Sequence, residues 1–238
     1  MTRIVIRDIE VSINRKSIKN LHLSVLPPDG RVRVSAPEHM SDQAIRLAVI
    51  SKLSWIKRQQ QDFAKQPRQS NREMISGECH YLWGRSYRLE VESLPGKHAI
   101  NVKGPGKLLL RVTANTSTEN RLKVLNGFYR DEMKLQTMKL IERWQPIIGV
   151  EAASWGIKKM KTKWGSCNPQ SKGIWLNLEL AKKPPECMEY ILVHELVHLL
   201  ERHHNKRFKD LMDRFMPNWR ERRNLLNSLP LAYEDWQY

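Results

Sequence analysis

Apolar and polar residues alternate through the first third of the chain. Ile4, Ile6, Ile9, Val11 and Ile13 mark one strand, broken in phase near Arg7-Asp8. Ile18 leads into Leu21, Leu23 and Val25, spaced by two, and Val32 and Val34 resume the alternation after the turn signal Pro27-Pro28-Asp29-Gly30. A period of two puts these side chains on one face of a strand, so the region predicts a small antiparallel sheet ending at Pro37. The period then changes. Ser41 is a good N-cap for a helix with Ile45, Ala48, Val49, Leu53 and Ile56 at its apolar positions. Gln59 to Asn71, rich in Gln, Lys and Arg with Pro67 inside it, reads as the end of that helix and a linker.

Short strands return over Tyr81–Glu92, Ile100–Val102 and Leu108–Val112, separated by Pro95-Gly96 and Gly104-Pro105-Gly106. From Glu119 to Ile148 the residues Leu122, Leu125, Tyr129, Met133, Met138, Ile141 and Trp144 recur at helical spacing, closed by Pro146 and Gly149. Ile157–Lys163 and, more clearly, Gly173–Leu180 (GIWLNLEL) read as strands. Pro184-Pro185 stand where a helix starts, and Glu186–Arg202 is that helix. Pro217 separates two more, Lys206–Met216 and Asn218–Leu229. The sequence carries no internal repeat. Strands come first and helices concentrate in the second half, which predicts an α+β fold. Its parts are a hairpin-and-helix region over residues 1–66, a β-rich middle over 67–115 and a helical domain over 116–238.

Composition narrows the function classes. A chain of 238 residues with 40% hydrophobic and 28% charged residues suits a folded protein that needs no disulfide staples. No apolar run approaches the roughly 18 residues of a membrane span. The N-terminus, MTRIVIRDIEVSINRK, is broken by charges and lacks a signal peptide's apolar core. Cys79, Cys167 and Cys187 are far apart, with no C-x-x-C pair, which argues against a disulfide framework and a cysteine zinc knuckle. A reducing, cytoplasmic compartment is the expectation. Lys and Arg exceed Asp and Glu by 41 to 25, a formal charge of +16. Such an excess fits an anionic partner such as DNA, or simply a soluble basic surface. The basic residues are spread from Arg3 to Arg223 with no dense block, so charge alone names no function.

The chemistry concentrates in EYILVHELVHLLERHHNKRF. It contains His194-Glu195-Leu196-Val197-His198, an H-E-x-x-H. Residues four apart lie on one helix face, so both imidazoles can reach a single zinc ion while the carboxylate of Glu195 addresses a water on it. Ile191, Leu192, Val193, Leu196, Val197, Leu199 and Leu200 surround the motif almost all the way round, and a helix this apolar is buried. Two imidazoles and a carboxylate inside it need a partner, and a metal ion or a hydrogen-bonded core triad would supply one. A third ligand is open at this level. His204, six residues beyond His198, points about 240° away on a continuous helix and ligates only if the helix ends near Arg202-His203 and the chain turns back. Glu201 and Cys187 share the motif's face but lie far along it. Glu221 would serve from a separate helix, and His203 is the remaining alternative.

The wider pattern resembles a known family. Lys161-Thr162-Lys163-Trp164-Gly165-Ser166-Cys167, Ile174-Trp175-Leu176-Asn177-Leu178, Pro184-Pro185, Tyr190 and the H-E-x-x-H with His204 and Phe208 are similar to the YgjP-like zinc metallopeptidases, relatives of SprT. Arg15-Lys16, Asp29-Gly30, Ala36-Pro37, Trp55-Ile56 and Gly84-Arg85 extend the likeness over most of the chain. One departure is His203, where the family pattern has Asn. The resemblance implies a zincin-like domain over 116–238, His194, His198 and His204 as zinc ligands, Glu195 as general base, and proteins or peptides as substrates, with the SprT relatives suggesting proteins near DNA. A peptide needs an extended cradle. GIWLNLEL, read as an edge strand, would provide it, with Asn177, Tyr190 and His203 as substrate contacts. Trp164-Gly165-Ser166-Cys167 invites a thiol-nucleophile reading, but Cys167 has no evident base and a tight turn is the plainer account. Two function classes follow: a zinc-dependent protease, and a basic nucleic-acid-binding protein whose zinc site is structural or inactive.

Overall fold

In the computed structural model, which describes residues 2–26, 30–65, 72–160 and 163–229, Arg7 turns the first alternating run back on itself with a φ of 56°. The run becomes β1 (Thr2–Ile6) and β2 (Ile9–Lys16), an antiparallel pair with Ile6 opposite Ile9. β3 (His22–Leu26) pairs antiparallel with β4 (Arg31–Pro37), and β4 lies parallel to β2, giving the order β1-β2-β4-β3. The sheet is therefore mixed, not antiparallel: β3 sits on the outer edge of β4, which leaves the other edge of β4 for β2. Most of the Pro27–Gly30 turn signal lies outside the described residues.

The helix that follows is two. α1 (Asp42–Ile50) is capped by Ser41, whose side chain accepts from the Ala44 N–H, and α2 is Leu53–Lys65. Ile45, Val49, Leu53 and Ile56 pack with Val11, Ile13, Val32 and Val34 in one core. Arg15 donates to the carbonyls of Pro37, Glu38 and Met40 and pairs with Asp42, tying the end of the sheet to the start of α1. The linker reading beyond residue 65 lies outside the described residues. Residues 2–65 and 72–229 form separate compact units.

In the second unit Trp83 and Gly84 both take positive φ, 50° and 78°, as a two-residue hairpin turn requires. They split the expected Tyr81–Glu92 strand into β5 (Cys79–Leu82) and β6 (Arg85–Ser93). A Cβ on Gly84 would meet Pro184 Cγ at 2.9 Å, so the turn closes on the residue before the motif helix. β7 (Ala99–Val102) and β8 (Lys107–Val112) complete the order β5-β6-β8-β7, with β6 and β8 parallel. This repeats the order and strand directions of the first sheet.

α3 (Thr118–Ile148) buries Leu125, Tyr129, Met133, Thr137, Ile141, Trp144 and Ile148. Thr137 takes the inward place in that row, its hydroxyl donating to the Met133 carbonyl, while Met138 is exposed. Pro146 sits inside the last turn, where a missing N–H costs one bond, and left-handed Gly149 ends the helix.

A third sheet positions the chemistry. β9 (Ser154–Lys158), β10 (Gly165–Asn168) and β11 (Gly173–Asn177) run in the order β10-β11-β9. β11 is central, parallel to β9 and antiparallel to β10, so GIWLNLEL is not an edge strand. It stops at Asn177, and Leu178–Lys182 form a 3-10 turn. The expected strand to Lys163 ends at Lys158, and Lys161 and Thr162 lie outside the described residues. Asn177 is 5% exposed. Its side-chain oxygen accepts from the N–H groups of Met160 and Glu179, and its amide donates to the carbonyls of Met160 and Lys163. Its polar atoms thus bond to the loop between β9 and β10 and to the start of the 3-10 turn.

α4 (Pro185–Val197), α5 (Lys206–Phe215) and α6 (Trp219–Ser228) complete the unit. Among the described residues no helix is long and apolar enough to cross a membrane. Asn177→Ala should leave the carbonyls of Met160 and Lys163 without this donor and cost roughly 1–3 kcal/mol. Urea denaturation would measure this; unchanged stability with a raised KM would instead favour the substrate-contact role.

Candidate metal centre and cleft

α4 is buried on nearly every side through Cys187, Met188, Tyr190, Ile191, Leu192, Val193, Leu196 and Val197. It carries His194 and Glu195 in its last turn, and His198 caps its C-terminus. The helix ends well before the expected Arg202. The N–H groups of Leu199 and Leu200 bond to the carbonyls of Leu196 and Val197, tightening the chain into a turn. Asn205 then caps α5 by accepting from the Phe208 N–H. Between these two fixed points the chain doubles back and delivers His204.

His204 Nε2 lies 3.0 Å from His194 Nε2, and ring nitrogens of His194, His198 and His204 all lie within 4.8 Å of one another. The buried ring of Phe208 packs 4.9, 4.7 and 4.8 Å from the three imidazole centres and props them together. Nδ1 of His198 donates to the Glu201 carbonyl at 3.0 Å, which fixes the tautomer and leaves Nε2 with a lone pair. Burial, then the neighbouring imidazoles, holds His194 down to about 3. Burial also lowers His198 and His204. All three are neutral near pH 7, the form that binds a metal ion.

The cluster passes a test of fit. Two neutral Nε2 atoms at 3.0 Å must share a proton or a cation. Nδ1 of His194 is buried without a hydrogen-bond partner, so the converging nitrogens are where this ring finds its polar contact. The other candidate ligands lie elsewhere. The Glu201 carboxylate accepts from the His203 N–H, Glu221 is exposed on α6, and Cys187 is buried with its thiol pushed up to about 11 by burial.

Glu195 is 5% exposed, and burial pushes its carboxyl up to about 8 against the pull of Lys163 and the Cys167 backbone N–H. Its place is made by Gly165. A Cβ there would stand 2.5 Å from Glu195 Oε1 and 2.8 Å from Ile191 Cγ2. β10 thus approaches α4 as closely as backbone permits. Burial, then the nearby Glu195, raises the Cys167 thiol to about 11, so it is no ready nucleophile.

These groups line an open cleft of about 880 Å³. Residues 163–170 form one wall, with β10 as the terminal strand of its sheet. Tyr190, His194, Glu195 and His198 come from α4, and Arg223, Leu226 and Asn227 from α6. A family model for the YgjP-like metallopeptidase domain matches residues 19–229. The chain belongs to the YgjP-like metallopeptidase family. Among solved structures, the metallopeptidase zymogen abylysin of Pyrococcus abyssi is similar at 23% identity and a TM-score of 0.35, over 37% of this chain and 90% of that one. No curated protein matches.

Within this YgjP-like metallopeptidase, Tyr190 lines the cleft, edge-on to His194 and stacked on Trp219 with ring centres 6.4 Å apart. His203 is exposed and absent from the cleft lining. Sequence reasoning missed Arg202, Arg223 and Asn227. Positions 223, 226 and 227 share a helix face, but that spacing looks the same on any surface helix. Gly165→Ala should displace Glu195 or Ile191, costing about 1–3 kcal/mol and most peptidase activity while metal content stays unchanged. Denaturation, metal analysis and a cleavage assay check this together; an undisturbed, fully active variant would contradict the packing.

Proposed function

We propose that this metallopeptidase hydrolyses peptide bonds with a zinc ion held by His194, His198 and His204 and with Glu195 as general base. The observation that carries the reading is the convergence of three neutral imidazoles beside one buried carboxylate at the floor of an open cleft. Three nitrogen ligands with no fourth in the cluster among the described residues suit a catalytic ion with an open position, whereas structural zinc is usually closed by four protein ligands. When bound, zinc supplies a Lewis acid that acidifies water and polarises a carbonyl.

The protein's own groups do the rest. Glu195 takes a proton from the attacking water and delivers it to the leaving amine. Its low-dielectric surroundings raise its basicity, and Lys163 and the Cys167 N–H hold it in place. The free edge of β10 offers main-chain donors and acceptors to an extended substrate, the role the sequence suggested for GIWLNLEL. Tyr190, which lines the cleft from α4, is assigned a substrate contact in this proposal. The catalytic chemistry is assigned to residues 116–238, with 1–66 and 67–115 as accessory regions. Three unbridged cysteines accord with a cytoplasmic setting.

Substrates held near DNA are a second part of the proposal. One observation favours it: Trp175 is 44% exposed and Lys158 Nζ stands 4.5 Å from its ring centre, an aromatic and a cation side by side as on a base-stacking surface.

Glu195→Gln should retain zinc and lose casein-type cleavage by a factor of about 100 or more. His204→Ala should lose both zinc and activity; a zinc-free wild type, or an active Glu195→Gln, would sink the assignment. Single-stranded DNA should bind with a steep salt dependence and stimulate cleavage, and Trp175→Ala should weaken that binding. No binding at low salt leaves the charge as solubility alone.

A further inference from the structure

We propose that the cleft selects peptides with an acidic side chain next to the scissile bond, and that Arg223 is the residue that reads it. This rests on the peptidase reading above. The charged side chains of the cleft are unbalanced. Lys163, Arg202 and Arg223 line it, against Glu195 as the sole carboxylate in the lining among the described residues. A peptide main chain is neutral and needs no cation to lie along a strand edge.

α6 shows that the imbalance is local. Arg220 pairs with Asp213, and Arg222 pairs with Glu189. Arg223, which lines the cleft, has no carboxylate partner among the described residues, and neither does Arg202, while Lys163 is drawn toward Glu195. Of the three α6 arginines, the one that lines the cleft is the one without a carboxylate among the described residues.

Arg223 is also held in place. Its guanidinium lies 5.1 Å from the ring centre of Trp219. Trp219 is fixed in turn by a 2.7 Å hydrogen bond from Nε1 to Asp213 and by its stack on Tyr190, with the rings 10° from parallel. A guanidinium stacked on an immobile ring presents its planar fork with less entropy to lose, and that fork matches a carboxylate. Lys163 and Arg202 add like charge, which favours an acidic residue and disfavours a basic one.

The test uses the full chain loaded with zinc and pairs of peptides that differ only in Glu, Gln or Lys beside the cleavage site. Affinity is measured on the Glu195→Gln variant by tryptophan fluorescence, and cleavage on the wild type. The Glu peptide should bind roughly ten-fold more tightly than its Gln twin, and the Lys peptide less tightly than either. With Arg223→Gln added, the Glu/Gln ratio should fall to near one. Arg223→Lys should retain part of it, which guards against a folding artefact. Cleavage with no charge preference, or a preference that survives Arg223→Gln, overturns the inference and leaves the peptidase intact. If the zinc-loaded wild type cleaves none of the peptides, the peptidase reading falls and this inference falls with it.

Discussion

Burial of α4 constrains everything else in the second unit. Its sides are taken by α3, α6, the 3-10 turn and the third sheet, so each polar group on it must find a partner inside the protein. Glu189 does so through Trp144, Arg143 and Arg222. Burial alone would raise its carboxyl, but the bonds from Arg222 and Trp144 hold it below the ordinary range. The imidazoles and Glu195 are only partly satisfied in this way: the Glu201 carbonyl takes His198 Nδ1 and the Cys167 N–H meets Glu195, but Nδ1 of His194 has no hydrogen-bond partner. They gather at the end of the helix, where its wrapping opens into the cleft.

The same burial sets the walls of the cleft. β10 can run close to α4 because Gly165 has no side chain, and Glu195 occupies the space a Cβ would take. α6 is clamped to α4 by the Glu189–Arg222 pair and by Tyr190 stacked on Trp219. One short edge strand and one helix thus rest on a common buried element, and the residues between them share one environment. Changes at Gly165, Glu189 or Trp219 would act on the site through packing, without touching a substrate.

Much of the local structure was legible. The long helix from Thr118 to Ile148 follows from its spacing, and Ser41, Gly149 and Pro185 act at helix ends as their chemistry implies. The errors have physical causes. Trp83-Gly84 is a turn inside an apolar run, and Trp gives no warning of a positive φ. Gly-Ser-Cys-Asn lacks the apolar alternation of a strand, so β10 went unread although it borders the cleft. The bonds from the Asn177 amide to the carbonyls of Met160 and Lys163 are tertiary contacts that spacing along the chain does not announce. The shared topology of the two four-stranded sheets left no repeat in the sequence, because strand order depends on pairing and many sequences satisfy the same alternation.

By itself the sequence determined the periodic and local facts: alternating strands, the helix register that sets His194 and His198 on one face, and the apolar envelope that demands burial. These follow from geometry repeated over a few residues. The tertiary structure decided what converges from a distance: the early end of α4 that returns His204, the glycine backbone that admits Glu195, the strand left at the sheet edge, and Arg223 brought to the cleft beside ion-paired neighbours on its own helix. Each of these depends on which distant residue supplies a hydrogen bond, a ring face or a counter-charge. Spacing along a chain does not encode that choice; only packing to closure makes it.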